Sequence, residues 1–419
     1  MLVGVVMLFV VGAMAALSID VVTLYTARSE AQLAADSAAL AGARVLANSG
    51  LTSTTTGPAG AEDLARTIAT QVAANNEVGG RNLNTVGTSA CVAGQEICVS
   101  FNDGDSAFVT DPHVTVRVQR TDLPTFFARI WGSKQITVAA SATAEAYNPS
   151  GADALDLDPP PQLALTCVKP WLLPNIDPTG AGGTIFDGAT GAITRPALLR
   201  GVWNLTSACE DCSGPGGVPS ALPGLYYPGA IQADDFAAPT KALPACSAGF
   251  NSYQLAIAGC VPRPIRCGAP ATANIDIDVT PYTTGRDDDT FQAASCLIHY
   301  TGADGDSDSI DSAAVPSPPF QFRAGKQNPI ASAIGNDVLV SNSLVTIPVI
   351  NTSTGGTPGT TVTVIGFLQV FVNPAGTVMN NSPQIPVEVV NMAGCGTNAT
   401  GQPILGNGAS PVAVRLISP

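Results

Sequence analysis

The stretch MLVGVVMLFVVGAMAALSI (residues 1–19), continued by DVVTLYTARSEAQLAADSAALAGARVLA (residues 20–47), decides the fold. No charged side chain occurs from Met1 to Ile19. As a helix that run is about 28 Å long, close to the thickness of a bilayer core. Asp20 closes the run without breaking the helix. From Val21 to Ala47 there is no Pro and a single Gly, Gly42, and alanine, the best helix former, dominates. Val21, Leu24, Tyr25, Ala31, Ala34, Ala38, Ala41 and Val45 recur at steps of three and four, which gives one apolar face. The pattern predicts one long helix, its first half in lipid and its second half packed outside it. Ala31, Ala34, Ala38 and Ala41 are the expected helix-packing interface, because small side chains let a partner helix come close.

A cleaved signal peptide is the competing reading, since Ala13-Met14-Ala15 fits a small-x-small cleavage site. Two features weigh against cleavage. The basic stretch that precedes a signal's apolar run is not in the sequence, and the helical pattern continues through the cut. The expectation is therefore a retained, single-pass anchor.

Composition narrows the function. Charged residues make up 12%, against roughly 25% in ordinary soluble domains. Gly (42) and Pro (33) are abundant and imply many turns. A net charge of −14 repels nucleic-acid phosphates and anionic headgroups, so no nucleic-acid partner is expected. His113 and His299, the two histidines, leave little material for acid–base or metal chemistry near neutral pH. The ten cysteines are even in number, with nine between Cys91 and Cys296 and the tenth at Cys395. Disulfides in an oxidising compartment are the economical reading, and they place the body outside the cytoplasm.

Residues 18–28 (SIDVVTLYTAR) and 30–43 (EAQLAADSAALAGA) resemble the N-terminal segment of the TadE/TadG-like Flp (tight adherence) pilus-assembly proteins. A second likeness lies at Val114–Ala146. There Val-Thr-Val-Arg-Val precedes Leu123-Pro124-Thr125-Phe126-Phe127-Ala128-Arg129-Ile130-Trp131-Gly132 and an Ile136-Thr137-Val138 strand that ends in alternating alanines. The resemblance covers about the first 150 residues. It implies an apolar anchor helix in the bacterial inner membrane, a body in the periplasm or on the cell surface, and other pilus-assembly components as partners. Such proteins begin with a short basic stretch, which implies a start upstream of Met1. Prepilin-peptidase processing is not supported, because the fifth residue after Gly4 is Phe9 and after Gly12 is Leu17.

The remaining chain divides by composition. Residues 1–48 form the transmembrane and stalk helix, and residues 49–147 an α+β head. In the head, Gly60–Asn76 reads as a second helix with an i, i+4 stripe of Leu64, Ile68 and Val72. Val114, Val116 and Val118 mark a half-buried strand, Thr125–Trp131 a short helix, and Ile136–Ala144 another strand. Residues 148–162 form a Pro/Asp linker with the run Pro159-Pro160-Pro161. Residues 163–419 show short strand-like runs: Ile275–Thr280, Leu344–Ile350, Thr361–Val372, Ile385–Val390 and Val412–Ile417. No long helical period appears there. The expected class is α+β: a helix with a small pilin-like head, then a β-rich, sandwich-like or irregular region containing disulfides.

Candidate chemistry is thin. Cys209-Glu210-Asp211-Cys212 is a CxxC whose intervening acids would raise a thiolate's pKa, and no second CxxC completes a zinc ribbon, so it reads as structural. Gly305-Asp306-Ser307-Asp308-Ser309 looks like a lipase-type GDS block, yet no His follows Ser307. It also resembles an Asp-x-Ser-x-Ser metal site, but Gly305 stands where the Asp is needed. Asp304, Asp306, Asp308 and Asp311 form an acidic loop whose bland reading is a solvated turn and whose sharper reading is calcium. Asp287-Asp288-Asp289 is a weaker acidic run, and Glu145 and Glu388 read as solvent-facing strand residues. No catalytic residue, cofactor or small-molecule substrate is identified. The leading expectation is a structural, non-catalytic assembly or attachment protein. The alternatives are an anchored adhesive module and an envelope hydrolase.

Overall fold

The computed structural model describes residues 2–53, 60–84, 94–102, 111–125, 127–128, 132, 135–147, 164–207, 223–229, 243–262, 265–266, 274–275, 286–310, 321–329, 331, 337–338, 341–351, 362–379, 384–395 and 410–418. The 148–162 linker, the Cys209–Cys212 motif, Asp311 and most of the expected 125–131 helix lie outside these residues.

The first element is one uninterrupted helix, α1 (Leu2–Ala47). Its two halves meet different surroundings. From Val3 to Tyr25 large apolar side chains are exposed, whereas Ala27, Ala31, Ala34, Ala35, Ala38, Ala39, Ala43 and Ala47 are buried. The second half lies across a four-stranded sheet with α2 (Ala61–Ala74) beside it. That sheet holds β1 (Ile97–Phe101), β2 (His113–Pro124) and β3 (Gln135–Tyr147). Val114, Val116 and Val118 of β2 stand opposite Ala144, Ala142 and Ala140 of β3 and, with Ala146, make the face that meets α1. The period of two in those strands and the small-residue face of α1 are thus halves of one core.

The expected interface alanines are therefore used inside the chain. Ala31, Ala34, Ala38 and Ala41 are buried in the head's own core, which leaves them no room for a helix from another protein. The reason is spacing. A Cβ on Gly42 would stand 3.0 Å from Val114 Cγ1 and 3.3 Å from Ala69 Cβ, so α1 packs as close as its smallest residues permit. In α2 the buried line is likewise Ala61, Ala65, Ile68, Ala69 and Ala73, with Leu64 and Val72 only partly buried at its flanks. Glu62 and Asp63 sit in the first turn of α2, where carboxylates favour the helix dipole.

The body contributes β4 (Ala164–Leu165), β5 (Trp171–Pro174), β6 (Val202–Ser207), β7 (Leu225–Pro228), α3 (Ser252–Ala258), β8 (Ile265–Arg266), β9 (Asn274–Ile275) and α4 (Arg286–Leu297). It continues with β10 (Ser309–Ile310), β11 (Phe322–Arg323), β12 (Asp337–Val338), β13 (Leu344–Ile350), β14 (Val362–Val372) and β15 (Ile385–Gly394). The final strand, β16 (Ala413–Ser418), leaves the body and pairs with β3, which gives the head sheet the order β1-β2-β3-β16. The last strand of the 163–419 segment thus completes the head sheet.

In the body, strand pairing runs β13-β5-β7-β6-β15-β14, and β14 pairs back onto β13. The sheet closes into a ring of six strands, with β9 added at the start of β14. Closure, rather than two facing sheets, removes the free edges. Alternate residues of the long strands, such as Val345, Ile347 and Val349, or Ile385, Val387 and Val389, feed one large cluster that α3 and α4 join. Neither helix was expected. Each is short, and α4 opens with Arg286-Asp287-Asp288-Asp289, which carries no apolar period. Asn251 and Gln254 form a reciprocal capping box at the start of α3. At its end, Lys169 Nζ donates to the backbone oxygens of Ile257 (2.6 Å) and Gly259 (2.7 Å).

Cys167–Cys260 and Cys246–Cys296 are disulfides. Cys98 and Cys395 are also disulfide-bonded, and none of the described cysteines is free.

Candidate functional site

The residues with most to say about function lie along α1, where it passes from an exposed rod into the head. In the exposed half, hydroxyls turn back onto the helix: Ser18 Oγ donates to Ala15 O (2.7 Å), Thr23 Oγ1 to Ile19 O (2.9 Å) and Thr26 Oγ1 to Val22 O (3.0 Å). Such back-bonding satisfies polar groups internally, as an apolar solvent demands. Asp20 is the first ionisable group. Its Oδ2 accepts from the backbone N–H of Phe127 (3.0 Å) and of Ala128 (2.7 Å), at the tip of the β2–β3 hairpin. This contact was not expected from the sequence, where Asp20 only marks the end of the apolar run.

Further along, Glu30 Oε2 accepts from the backbone N–H of Gly79 at 2.6 Å. Arg120 donates to the backbone oxygens of Val78 and Gly79 and, through Nε, to Asp122 Oδ1 at 2.9 Å. Gly79 has φ +60°, and any side chain there would run into Leu123 and Arg120. Gln32 Nε2 donates to Ser141 O at 3.3 Å. The helix is thus tied to the head sheet at successive levels. Beyond Ala47, Ser53 Oγ accepts from Met392 N (3.0 Å) and donates to Met392 O (3.2 Å), which lodges the end of the helix segment on β15.

On the far edge of the head, His113, Glu145 and Arg415 stand in one row across β2, β3 and β16. His113 Nε2 lies 3.2 Å from Asp111 Oδ2 and 3.5 Å from Glu145 Oε2, while Arg415 pairs with the other oxygen of Glu145. The Arg415 guanidinium also covers the Tyr147 ring, 4.8 Å from its centroid. Asp111, His113 and Glu145 present ligand atoms within 4.8 Å of one another, an arrangement able to hold a cation. Glu145 is buried, not solvent-facing as its strand pattern implied, because β16 covers that edge. Glu388 is buried too, and burial pushes its carboxyl above the usual range, partly offset by Arg200.

Among the described residues of the acidic loop, the carboxylates of Asp304, Asp306 and Asp308 do not converge on one point. Asp306 Oδ2 accepts from Thr301 Oγ1 (2.6 Å), Thr301 N (3.1 Å) and Ala303 N (2.9 Å). Asp308 accepts from Gly325 N (2.7 Å), Asn328 Nδ2 and Ser341 Oγ, and Asp304 Oδ1 from Val378 N (2.8 Å). Each stitches a different segment to the loop. Ser307 Oγ accepts from Asn373 Nδ2 at 3.0 Å, whereas His299 Nε2 accepts from Asn342 Nδ2 at 2.9 Å. An open cleft of about 830 Å³ lies beside the Cys246–Cys296 bridge, lined by Phe250, Phe291, His299, Tyr300 and Met379. Burial lowers the pKa of His299, with Asp308 opposing the shift.

Residues 1–45 match the family model “Tad: Putative Flp pilus-assembly TadE/G-like”. The match ends two residues before α1 does, so the TadE/G-like segment takes in the long apolar half of α1 together with the face that builds the head. No curated protein and no solved structure matches the chain. The likeness noted at Val114–Ala146 lies outside the TadE/G-like match, yet in space β2 and β3 are the strands that α1 covers.

Proposed function

We propose that this chain is a membrane-anchored, non-catalytic component of Tad/Flp-type pilus assembly, with its body outside the inner membrane. The observation that carries the reading is the single 46-residue helix whose first half is apolar and exposed and whose second half is the core of the head. It is long and apolar enough to cross a membrane, and it coincides with the TadE/G-like match. The disulfides support an oxidising compartment for the body. Since the small-residue face of α1 is filled by its own head, other assembly components meet either the exposed apolar half or the outer surface of the body.

The test is deletion of the gene from its native host and complementation with the intact chain or with one carrying Leu8→Arg and Phe9→Arg. Carbonate extraction and pilus counts are the readouts. The intact chain should stay in the carbonate-resistant membrane fraction and restore pili, and the charged variant should do neither. Normal piliation in the deletion strain would overturn the pilus role.

A further inference from the structure

Asp20 is only 4% exposed, although Ile19 and Val21 beside it are each 50% exposed. What covers it is the hairpin tip, whose Phe127 and Ala128 N–H groups it accepts. The exposed surface of α1 does not turn polar at Asp20. Val22 is 64% exposed and Tyr25 76%, and the first exposed charge is Arg28. From Val3 to Tyr25 the uncharged outer surface is about 34 Å long, more than a hydrocarbon core of roughly 30 Å. Tyr25 then occupies the headgroup level, where aromatic side chains concentrate, and Asp20 lies about 8 Å deeper along the helix.

The paired strands β2 and β3 reach that depth. From Gln32, held at Ser141, back to Asp20 the helix descends about 18 Å. From Ser141 to Gln135, the last paired residue of β3, the strand descends about 20 Å. The two lengths agree, and Asp20 holds Phe127 and Ala128, between the two strands, at the lower end.

We infer that Pro124, Phe127 and Ala128, between β2 and β3, make a second membrane contact in the interfacial layer of the same bilayer that holds α1. The inference rests on the anchoring reading above. Its occupant is lipid, because Asp20, to which the hairpin residues are fastened, is flanked on α1 by the exposed apolar side chains of Leu17, Ile19, Val21 and Val22. The contact is apolar, which suits a chain of net charge −14. Within this contact Asp20 is a positioning residue. Its carboxylate meets two backbone donors and is hidden from lipid by them, so the cost of an ionised group at that depth is reduced.

The experiment uses the full chain with Trp131→Phe as background, carrying Phe127→Trp, Pro124→Trp or, as a reference, Phe9→Trp. Each protein is reconstituted in phosphatidylcholine vesicles brominated near the carbonyl end or near the end of the acyl chains. After subtraction of the Trp171 and Trp203 emission of the Trp131→Phe background, the expected result is loss of emission at positions 127 and 124 with carbonyl-end bromine, and at position 9 with deep bromine. Two tip positions guard against one variant misfolding. If position 9 is quenched and neither tip probe responds, the hairpin contact is overturned while the anchor stands. If position 9 is not quenched either, the anchoring reading falls. A tip signal that follows protein-to-lipid ratio, and not bromine, would assign the tip to a second copy of the chain and overturn the lipid contact.

Discussion

Asn391, fully buried on β15, donates through Nδ2 to the backbone oxygen of Ala47, the last residue of α1. The same amide reaches Gln369 Oε1 at 2.6 Å. The end of α1 is thereby joined to the wall of the strand ring by a hydrogen bond shut off from water. Removing the donor leaves a buried carbonyl unsatisfied, at a cost of about 1–3 kcal/mol. Asn391→Ala should lower the urea midpoint and raise amide exchange across Ala47–Ser53. Unchanged exchange there would mean that the Ser53–Met392 bonds alone hold the junction.

Ala34→Phe should damage the head and spare insertion. Ala34 is completely buried in the α1–sheet core, so a ring there has no space. Overpacking of this kind typically costs about 1–3 kcal/mol. Pulse proteolysis should show early cleavage between residues 60 and 147, with the chain still in the membrane fraction.

A chain truncated after residue 410 should lose the integrity of the head as well as its own last strand. It lacks β16, and with it the Arg415–Glu145 ion pair and the cover over Tyr147. The edge of β3 is then open to pairing with other chains. Size-exclusion chromatography in detergent should show oligomers that the intact chain does not form. For the same reason, removing residues 163–419 cannot test the body alone.

Reduction should separate body from head. Cys167–Cys260 and Cys246–Cys296 close loops of 93 and 50 residues. Each should contribute about 2–5 kcal/mol, mostly by restricting the unfolded chain. Cys246→Ala with Cys296→Ala should lower the melting temperature followed by Trp171 and Trp203 emission, while proteolysis of residues 60–84 stays unchanged.

The acidic loop gives a pH dependence. The Thr301 hydroxyl and the Ala303 N–H hold Asp306 below the usual 3.8. A depressed carboxylate stabilises the fold above its unfolded value and ceases to do so as pH falls through the folded one. Glu388 has the opposite sign: its raised pKa favours the fold at low pH and is lost as pH rises. Urea midpoints measured from pH 6 to pH 3 should fall at the acid end. Asp306→Asn should flatten that fall, and a steeper one would contradict the assignment.

The helix, α2 and the paired strands of the head were legible because each carries its period in adjacent residues. Leu344–Ile350 was read with the limits it has, and Ile385–Val390 was recognised although β15 runs on to Gly394. Ring closure was not legible. It depends on partners as distant as Leu173 and Val349, which pair in parallel, and on four-residue strands such as β5 and β7. The small-residue face of Ala31–Ala41 was recognised as a packing surface, but nothing local says whether the partner is another protein or the same chain. Glu145 was misread because its strand alternates correctly for solvent, and β16, 270 residues away, is what covers it. Asp20 gave a boundary signal only, since its two donors are backbone groups more than 100 residues on.

The return of β16 to the head also sets a timetable. α1 leaves the ribosome before β3, which is complete at Tyr147, but the neighbour of β3 begins at Ala413. At 5–20 residues per second, synthesis of the intervening chain takes roughly 13–50 s. During that interval the nascent protein has one sheet edge bare, and on the anchoring proposed above it would also be held at a surface where such chains concentrate. Under that proposal, a factor that covers the open edge of β3, or sparse synthesis, would keep unfinished copies from pairing with one another.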